Sequence, residues 1–327
     1  QALWQGSHHD LAMQHADADT VLGDFSGATF EYAGITSKFY KKGDGFYVRT
    51  DGPDGKLHDY DIKYTFGVTP LQQYLIELDG GRLQALSIAW DSRAKSEGGQ
   101  RWFHLYPDDE ITHQDELHWT RNAFNWNGMC AECHSTNLQK NYDVSKDTFD
   151  TSWSEIDVSC EACHGPASAH LSWANKNQTG EAGSGDKGFS FLFDEREDVL
   201  WKMNATTGNA IRSEPRVTEK EIEVCAQCHS RRSVISSEYS PGKSFLDHYM
   251  PRLLDEGMYH ADGQIQDEVY VYGSFMQSKM QHMGVTCSDC HEPHSLELRQ
   301  PGNGVCLQCH PADKFDTKKH HFHDEGT

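Results

Sequence analysis

No run of about eighteen apolar residues occurs in this 327-residue chain, so the sequence offers no membrane-crossing helix. Basic residues are scarce: 29 Lys and Arg against 50 Asp and Glu leave a net charge of −21. That balance speaks against nucleic acid, whose phosphates need clustered cations, and against anionic membranes. The first ten residues, QALWQGSHHD, have neither the basic start nor the apolar stretch of a secretion signal. If the protein is exported, this is expected to be a processed chain. Apolar residues are also few. Counted with glycine in place of tyrosine, about 41% of the chain is apolar, against roughly 45–50% in an average soluble domain. Something besides aliphatic side chains is expected to fill the interior.

Cysteine is absent from residues 1 to about 124, and no cysteine lies outside a single pattern. That pattern, CxxCH, occurs five times: Cys130, Cys133 and His134; Cys160, Cys163 and His164; Cys225, Cys228 and His229; Cys287, Cys290 and His291; Cys306, Cys309 and His310. All ten cysteines are used, so no thiol remains for an ordinary disulfide. Four-cysteine zinc sites take two CxxC pairs each, and five pairs leave one over. Sites of two cysteines and two histidines do not explain why histidine follows every pair directly. A thioredoxin-like role needs one reactive CxxC beside a βαβ pattern. CxxCH is instead the attachment signature of c-type haem. Two cysteines three apart can form thioethers to the two vinyl groups on one porphyrin edge, and the adjacent histidine reaches the iron. The expected cofactors are therefore five covalent haem c groups, with His134, His164, His229, His291 and His310 as proximal ligands. Five porphyrins would also supply the missing apolar surface. Without them, the chain is expected not to fold beyond its N-terminal part.

Of the twenty histidines, fifteen remain for the second axial position, a surplus that favours bis-histidine, six-coordinate iron. The candidates are His294 in CHEPH, His170 in CHGPASAH, His118 in ELHWT, and His9 in WQGSHHDLAM, where a helix is expected to begin. His260, His282, and His320 and His321 in the tail HHFH (320–323) complete the set. Met13, Met129, Met280 and Met283 could ligate iron and raise its potential, but methionine filling gaps is the more ordinary role. Arg231 and Arg232, directly after CAQCHS, are the one conspicuous basic pair beside a motif. They suit haem propionates, or a substrate at an open iron.

The expected fold class is α+β. Residues 1–124 form an N-terminal segment plus an antiparallel β-rich region, and 125–327 a helical and irregular region organised around the five haems. In KLHDYDIKYTF the alternation would put Tyr60, Ile62, Tyr64 and Phe66 on one face. Glycine-rich turns at 42–45, 51–55 and 79–81 separate further strands at Phe46–Thr50, Gln73–Leu78 and Arg82–Trp90. Together these suggest a sheet or small barrel of five to seven strands. Thr218 and Glu221 make a capping-box pattern ahead of EIEVCAQCH, placing Cys225 to His229 near the end of a short helix. Residues 175–188, NKNQTGEAGSGDKG, read as a flexible surface loop. Motif spacings of 30, 65, 62 and 19 residues are too irregular for a solenoid.

The stretches WQGSHHDLAM, CAECHSTN, CEACHGPASAH and GVTCSDCHEPHS, followed by GNGVCLQCH, resemble the multihaem cytochrome c superfamily, particularly its paired-CxxCH and cytochrome c554-like members. With PLQQYL, QALSIAWD and RWFHLYP, the resemblance covers most of the chain and extends to relatives that carry tetratricopeptide repeats further on. In such relatives a further CxxCH commonly precedes the WxGSHH segment and another follows HHxH; neither stands in this sequence. The resemblance implies haem-to-haem electron transfer in the bacterial periplasm or outside the cell, with redox proteins or other copies of the chain as partners. One form of it is an extracellular filament subunit, in which His9 and His320 to His323 serve haems of a neighbouring copy. The alternative is a reductase of a small nitrogen or sulfur oxyanion with one open haem. Pentahaem nitrite reductases, however, typically attach the catalytic haem through CxxCK, and all five motifs here end in histidine. A third reading makes the β-rich region a docking module or a wall that shields haems.

Overall fold

Antiparallel hairpins dominate the first half of the computed structural model, which describes residues 2–178 and 185–322. The chain divides into two compact units, Gln1–Ala162 and Cys163–Thr327. The first is built on nine strands: β1 (Met13–His15), β2 (Ser26–Tyr32), β3 (Ile35–Lys42), β4 (Gly45–Asp51), β5 (Leu57–Phe66), β6 (Leu71–Leu78), β7 (Arg82–Ala85), β8 (Ile88–Asp91) and β9 (Arg101–His104). Their order is β2-β3-β4-β5-β6-β8-β9, with β1 on β5 and β7 on β6. This exceeds the five to seven strands expected, for two reasons. The N-terminal segment contributes a strand, Met13 opposite Phe66. The apolar stretch from Arg82 to Trp90 is two strands, because the chain leaves β6 after Ala85 and rejoins it at Trp90 opposite Gln72. The two ends of the sheet meet through side chains. Tyr32 stacks on His104 at 3.6 Å, and its hydroxyl donates to the carbonyls of Tyr106 and Asp109 at 3.0 and 2.6 Å.

The expected single face of β5 is wrong past Ile62. The register slips between Ile62 and Tyr64, and a bulge of one residue turns every following side chain to the other face. Tyr60 and Ile62 therefore join one core, whereas Tyr64 and Phe66 join another. β6 is buried on both sides between them, with Tyr74 and Ile76 in the first core and Leu75 in the second. The first core is aromatic. Phe39 stacks on Trp102 at 3.6 Å, and Phe25 meets Phe39, Phe46, Tyr74 and Trp102 edge-on. Gly23 is required beside it, since a Cβ there would lie 2.5 Å from the Tyr74 hydroxyl. The second core, Met13, Phe66, Leu75, Leu83, Ala85, Phe124, Trp126 and Ala131, runs into the first CxxCH motif.

After the sheet, unit one continues through α1 (Trp126–Met129), α2 (Ala131–His134) and the hairpin β10 (Tyr142–Asp143) with β11 (Thr148–Phe149). α3 (Cys160–His164) spans the division between the units. The second unit has short elements: α4 (Ser168–Gln178), the hairpin β12 (Trp201–Met203) with β13 (Ala210–Arg212), α5 (Lys220–Ala226), and the hairpin β14 (Arg232–Val234) with β15 (Tyr249–Pro251). Then follow α6 (Tyr272–Met276), α7 (Lys279–His282), α8 (Cys287–Cys290), α9 (Gly304–Leu307), α10 (Ala312–Phe315) and α11 (Lys318–His321). Among its described residues the largest buried cluster is only Ala226, Phe245 and Tyr249. Among the described residues no helix is long and apolar enough to cross a membrane.

Three further expectations change. Residues around His9 form successive turns rather than a helix. Of the proposed loop at 175–188, residues up to Gln178 extend α4, and 179–184 lie outside the described residues. The helix before the third motif forms, but not by a capping box. Thr218 donates its hydroxyl to Glu195 Oε1, which also accepts the Glu221 amide. A buried carboxylate from elsewhere thus satisfies the orphan N–H of the first turn.

Candidate functional site

Residues i and i+3 are neighbours on a helix, so a CxxCH pattern bent into one helical turn presents both sulfurs on one side. All five motifs lie on such turns: at α2, α3, the end of α5, α8 and α9. The first cysteine's carbonyl closes the turn. That of Cys225 accepts from the amides of Cys228 and His229 at 3.2 and 2.9 Å, and that of Cys306 from those of Cys309 and His310 at 3.1 and 2.9 Å. Cys287 accepts from His291 at 3.0 Å, and Cys130 from Cys133 at 3.1 Å. After the first and third motifs, Ser135 and Ser230 return their hydroxyls to the carbonyls of Ala131 and Ala226, both at 2.6 Å.

Two of the motif histidines have Nδ1 engaged by a carbonyl-type oxygen. His134 Nδ1 lies 3.0 Å from the Ala12 carbonyl, and His310 Nδ1 2.9 Å from Asn209 Oδ1. Donation from Nδ1 to such an acceptor fixes the tautomer and frees Nε2, as metal-ligating imidazoles commonly require. Burial holds His134, His164 and His229 below the ordinary histidine range, and the charge of His294 or His291 adds to it for the latter two. Three thiols are shifted upwards. A hydrogen bond to the Cys287 thiol, together with burial, pushes Cys225 well up, and burial raises Cys290 and Cys309.

The fourth motif's neighbour His294 and the second motif's His164 come together. Their rings are nearly parallel, 8° apart, with centroids separated by 6.2 Å. Two metal–imidazole bonds of about 2 Å, with about 1 Å from nitrogen to ring centre on either side, span roughly 6 Å, so His164 and His294 would be able to hold one iron between them. Glu292 holds His294 in place, accepting its amide at 2.9 Å and lying 3.1 Å from its Nδ1. Burial opposes ionisation of Glu292, but the Ser295 and His294 hydrogen bonds outweigh it and bring the carboxyl to about 2.

The other candidates stand differently. His170 has Nδ1 on the Lys187 carbonyl at 2.8 Å and stacks on Phe189 at 4.2 Å, the same arrangement that frees Nε2 elsewhere. His118 is buried in the β unit with both ring nitrogens engaged, Nε2 3.2 Å from Asp51 Oδ2 and Nδ1 2.8 Å from Thr120 Oγ1. It would have to leave the carboxylate to bind iron. His9 lies in the N-terminal turns, its carbonyl accepting the Val158 amide. His260 and His282 are exposed. His320 meets Phe315 edge-on at 5.0 Å, and Phe315 meets His310 likewise. His321 ends α11, and His323 lies outside the described residues. Met13 is fully buried in the second core, whereas Met129, Met280 and Met283 are exposed. Arg231 pairs with Asp267 at 3.5 Å, and Arg232 lies over the Tyr249 ring at 4.0 Å.

Sequence reasoning passed over Glu221 as anything but a cap. Its carboxylate accepts both the amide and the hydroxyl of Ser288, at 2.5 and 2.7 Å, joining the third motif's helix to the fourth motif. No local pattern could have found it, since Ser288 lies 67 residues along the chain.

Comparison with known families agrees with these motifs. Residues 90–165 match the family of cytochrome c554 and c-prime, and residues 281–315 match the doubled CXXCH motif. The first region contains motifs one and two, the second motifs four and five; the third lies outside both. No curated protein and no solved structure matches the chain.

Proposed function

We propose that this chain, two stretches of which match the cytochrome c554 family and the doubled CXXCH motif, is a multihaem c-type cytochrome that carries electrons through five covalently bound haem c groups, mostly bis-histidine ligated. Haem iron held by two imidazoles exchanges single electrons and leaves no position for a substrate. The observation that carries this reading is the His164–His294 pair, spaced at 6.2 Å for one iron. Each cysteine pair would hold one group by its edge, and Ala12 and Asn209 would fix the tautomers of His134 and His310. Residues 125–327 form the haem-bearing region in this reading. The β-rich region 1–124 acts as a wall for the first motif, whose Ala131 packs in the second core beside Phe66 and Trp126.

Export to the bacterial periplasm or beyond the cell belongs to the same reading, since family members acquire their thioethers there. A second copy is the partner favoured by the C-terminal helix. α11 carries Lys318, Lys319, His320 and His321, and His320 is exposed. With His9, these residues could complete irons of a neighbouring subunit in a filament. Intact mass and carbon monoxide binding test the carrier reading together. Five attached haems, with the reduced protein leaving carbon monoxide unbound, are expected. Stoichiometric binding to one iron would favour the oxyanion reductase.

A further inference from the structure

We propose that Glu221 is a positioning residue that sets the spacing of the third and fourth attachment turns, and with it electron exchange between the haems they hold. The inference rests on the carrier reading. Its evidence lies within the second unit. Glu221 and Cys225 share a face of α5, four residues apart. The Glu221 carboxylate grips Ser288 at both its amide and its hydroxyl. Ser288 follows Cys287 and occupies the first turn of α8, where an N–H has no partner within its own helix. Beside the capping box of Thr286 and Asp289, Glu221 therefore satisfies the Ser288 amide in the first turn of α8 from a different motif's helix.

The grip is reinforced on both sides. Glu195 caps α5 at the Glu221 amide, at 3.2 Å. The Ser288 carbonyl accepts from Arg196 and Arg299 at 2.8 and 2.5 Å, and Arg196 also pairs with Asp289 at 3.1 Å. Ser288 is thus held at its amide, hydroxyl and carbonyl, and is buried. Ser288 directly follows Cys287, and Glu221 lies one helical turn before Cys225, so the grip sets the separation of the first cysteines of the third and fourth motifs. In the loaded protein each of these cysteines would hold the edge of a different haem, so the same grip would set how close the two porphyrin edges lie. Electron exchange falls steeply with edge separation, and loosening the grip would lengthen it.

The test uses haem-loaded protein with Glu221→Ala, Glu221→Gln and Ser288→Ala, each with its haem count checked by intact mass. Two properties are read: magnetic coupling between neighbouring oxidised irons, and the rate at which an injected electron redistributes among them. Glu221→Ala is expected to weaken one coupling and slow one redistribution phase about tenfold, the lower end of what removing an outer-shell partner usually costs. Ser288→Ala, which keeps the amide contact, should lie between. Glu221→Gln can accept from the amide and donate to the hydroxyl, and should match the parent. Unchanged coupling and rate in Glu221→Ala would overturn the proposal. Should that variant fail to mature, Ser288→Ala decides, and parental coupling and rate there would overturn it equally. An open, high-spin iron in the parent would instead sink the carrier reading, leaving the coupling comparison intact.

Discussion

The two units are nearly equal in length and opposite in construction. Among the described residues, twenty-four buried hydrophobic side chains lie in the first unit and seven in the second. The large hydrophobic side chains left exposed reverse the ratio, seven against twenty. A lone exposed leucine means little; a reversal between halves of one chain does. The first unit is ordered by its own side chains, Phe39 on Trp102 and Trp126 against the first motif. The second is ordered by carboxylates on helix ends, such as Glu195 and Glu221, and, in the proposed reading, by flat apolar haem groups tied to its cysteines. Conformational entropy must be offset everywhere along a chain, and in the second unit seven buried side chains are too few to do so.

The strongest break of that contrast is to make the chain without attached haem. Limited proteolysis read by mass spectrometry should leave a resistant fragment from within residues 1–162 and digest the remainder. Equal resistance in both units would end the contrast. Next in size is Trp126→Ala in the loaded protein. Trp126 is fully buried, and its loss should cost about 3–5 kcal/mol in denaturant unfolding of the first unit, with little change in haems of the second. His294→Ala acts on the other side. One iron should pass from low to high spin, and if none does, the His164 pairing is wrong.

Acidification should sharpen the contrast least. Burial holds His104 below its ordinary 6.5, so its contribution is full above that pH and is lost as pH falls through the folded value. Burial raises Asp51, but the His118 hydrogen bond and charge prevail and leave it below its ordinary 3.8. That contribution is present above 3.8 and lost on further acidification. Unfolding midpoints of the first unit should therefore fall in two stages, the first absent in His104→Gln.

What could be read from the sequence follows the same division. Strand alternation and glycine turns located the sheet, because each reports on one short stretch of backbone. The bulge after Ile62 and the break after Ala85 escaped, since both depend on which neighbour a strand finds. In the second unit the short helix ending at Cys225 to His229 was legible, being local. Glu195 as the cap of α5, and Glu221 as a partner to the first turn of α8, were not. Each acts on residues far along the chain, and neither leaves a periodic trace.

The central claim is that residues 125–327, with the first motif among them, are built around closed, six-coordinate irons. Low-temperature EPR of the fully oxidised protein, quantified against total haem, tests it most directly. Low-spin signals accounting for all five irons are expected; a high-spin signal equal to one haem would contradict it.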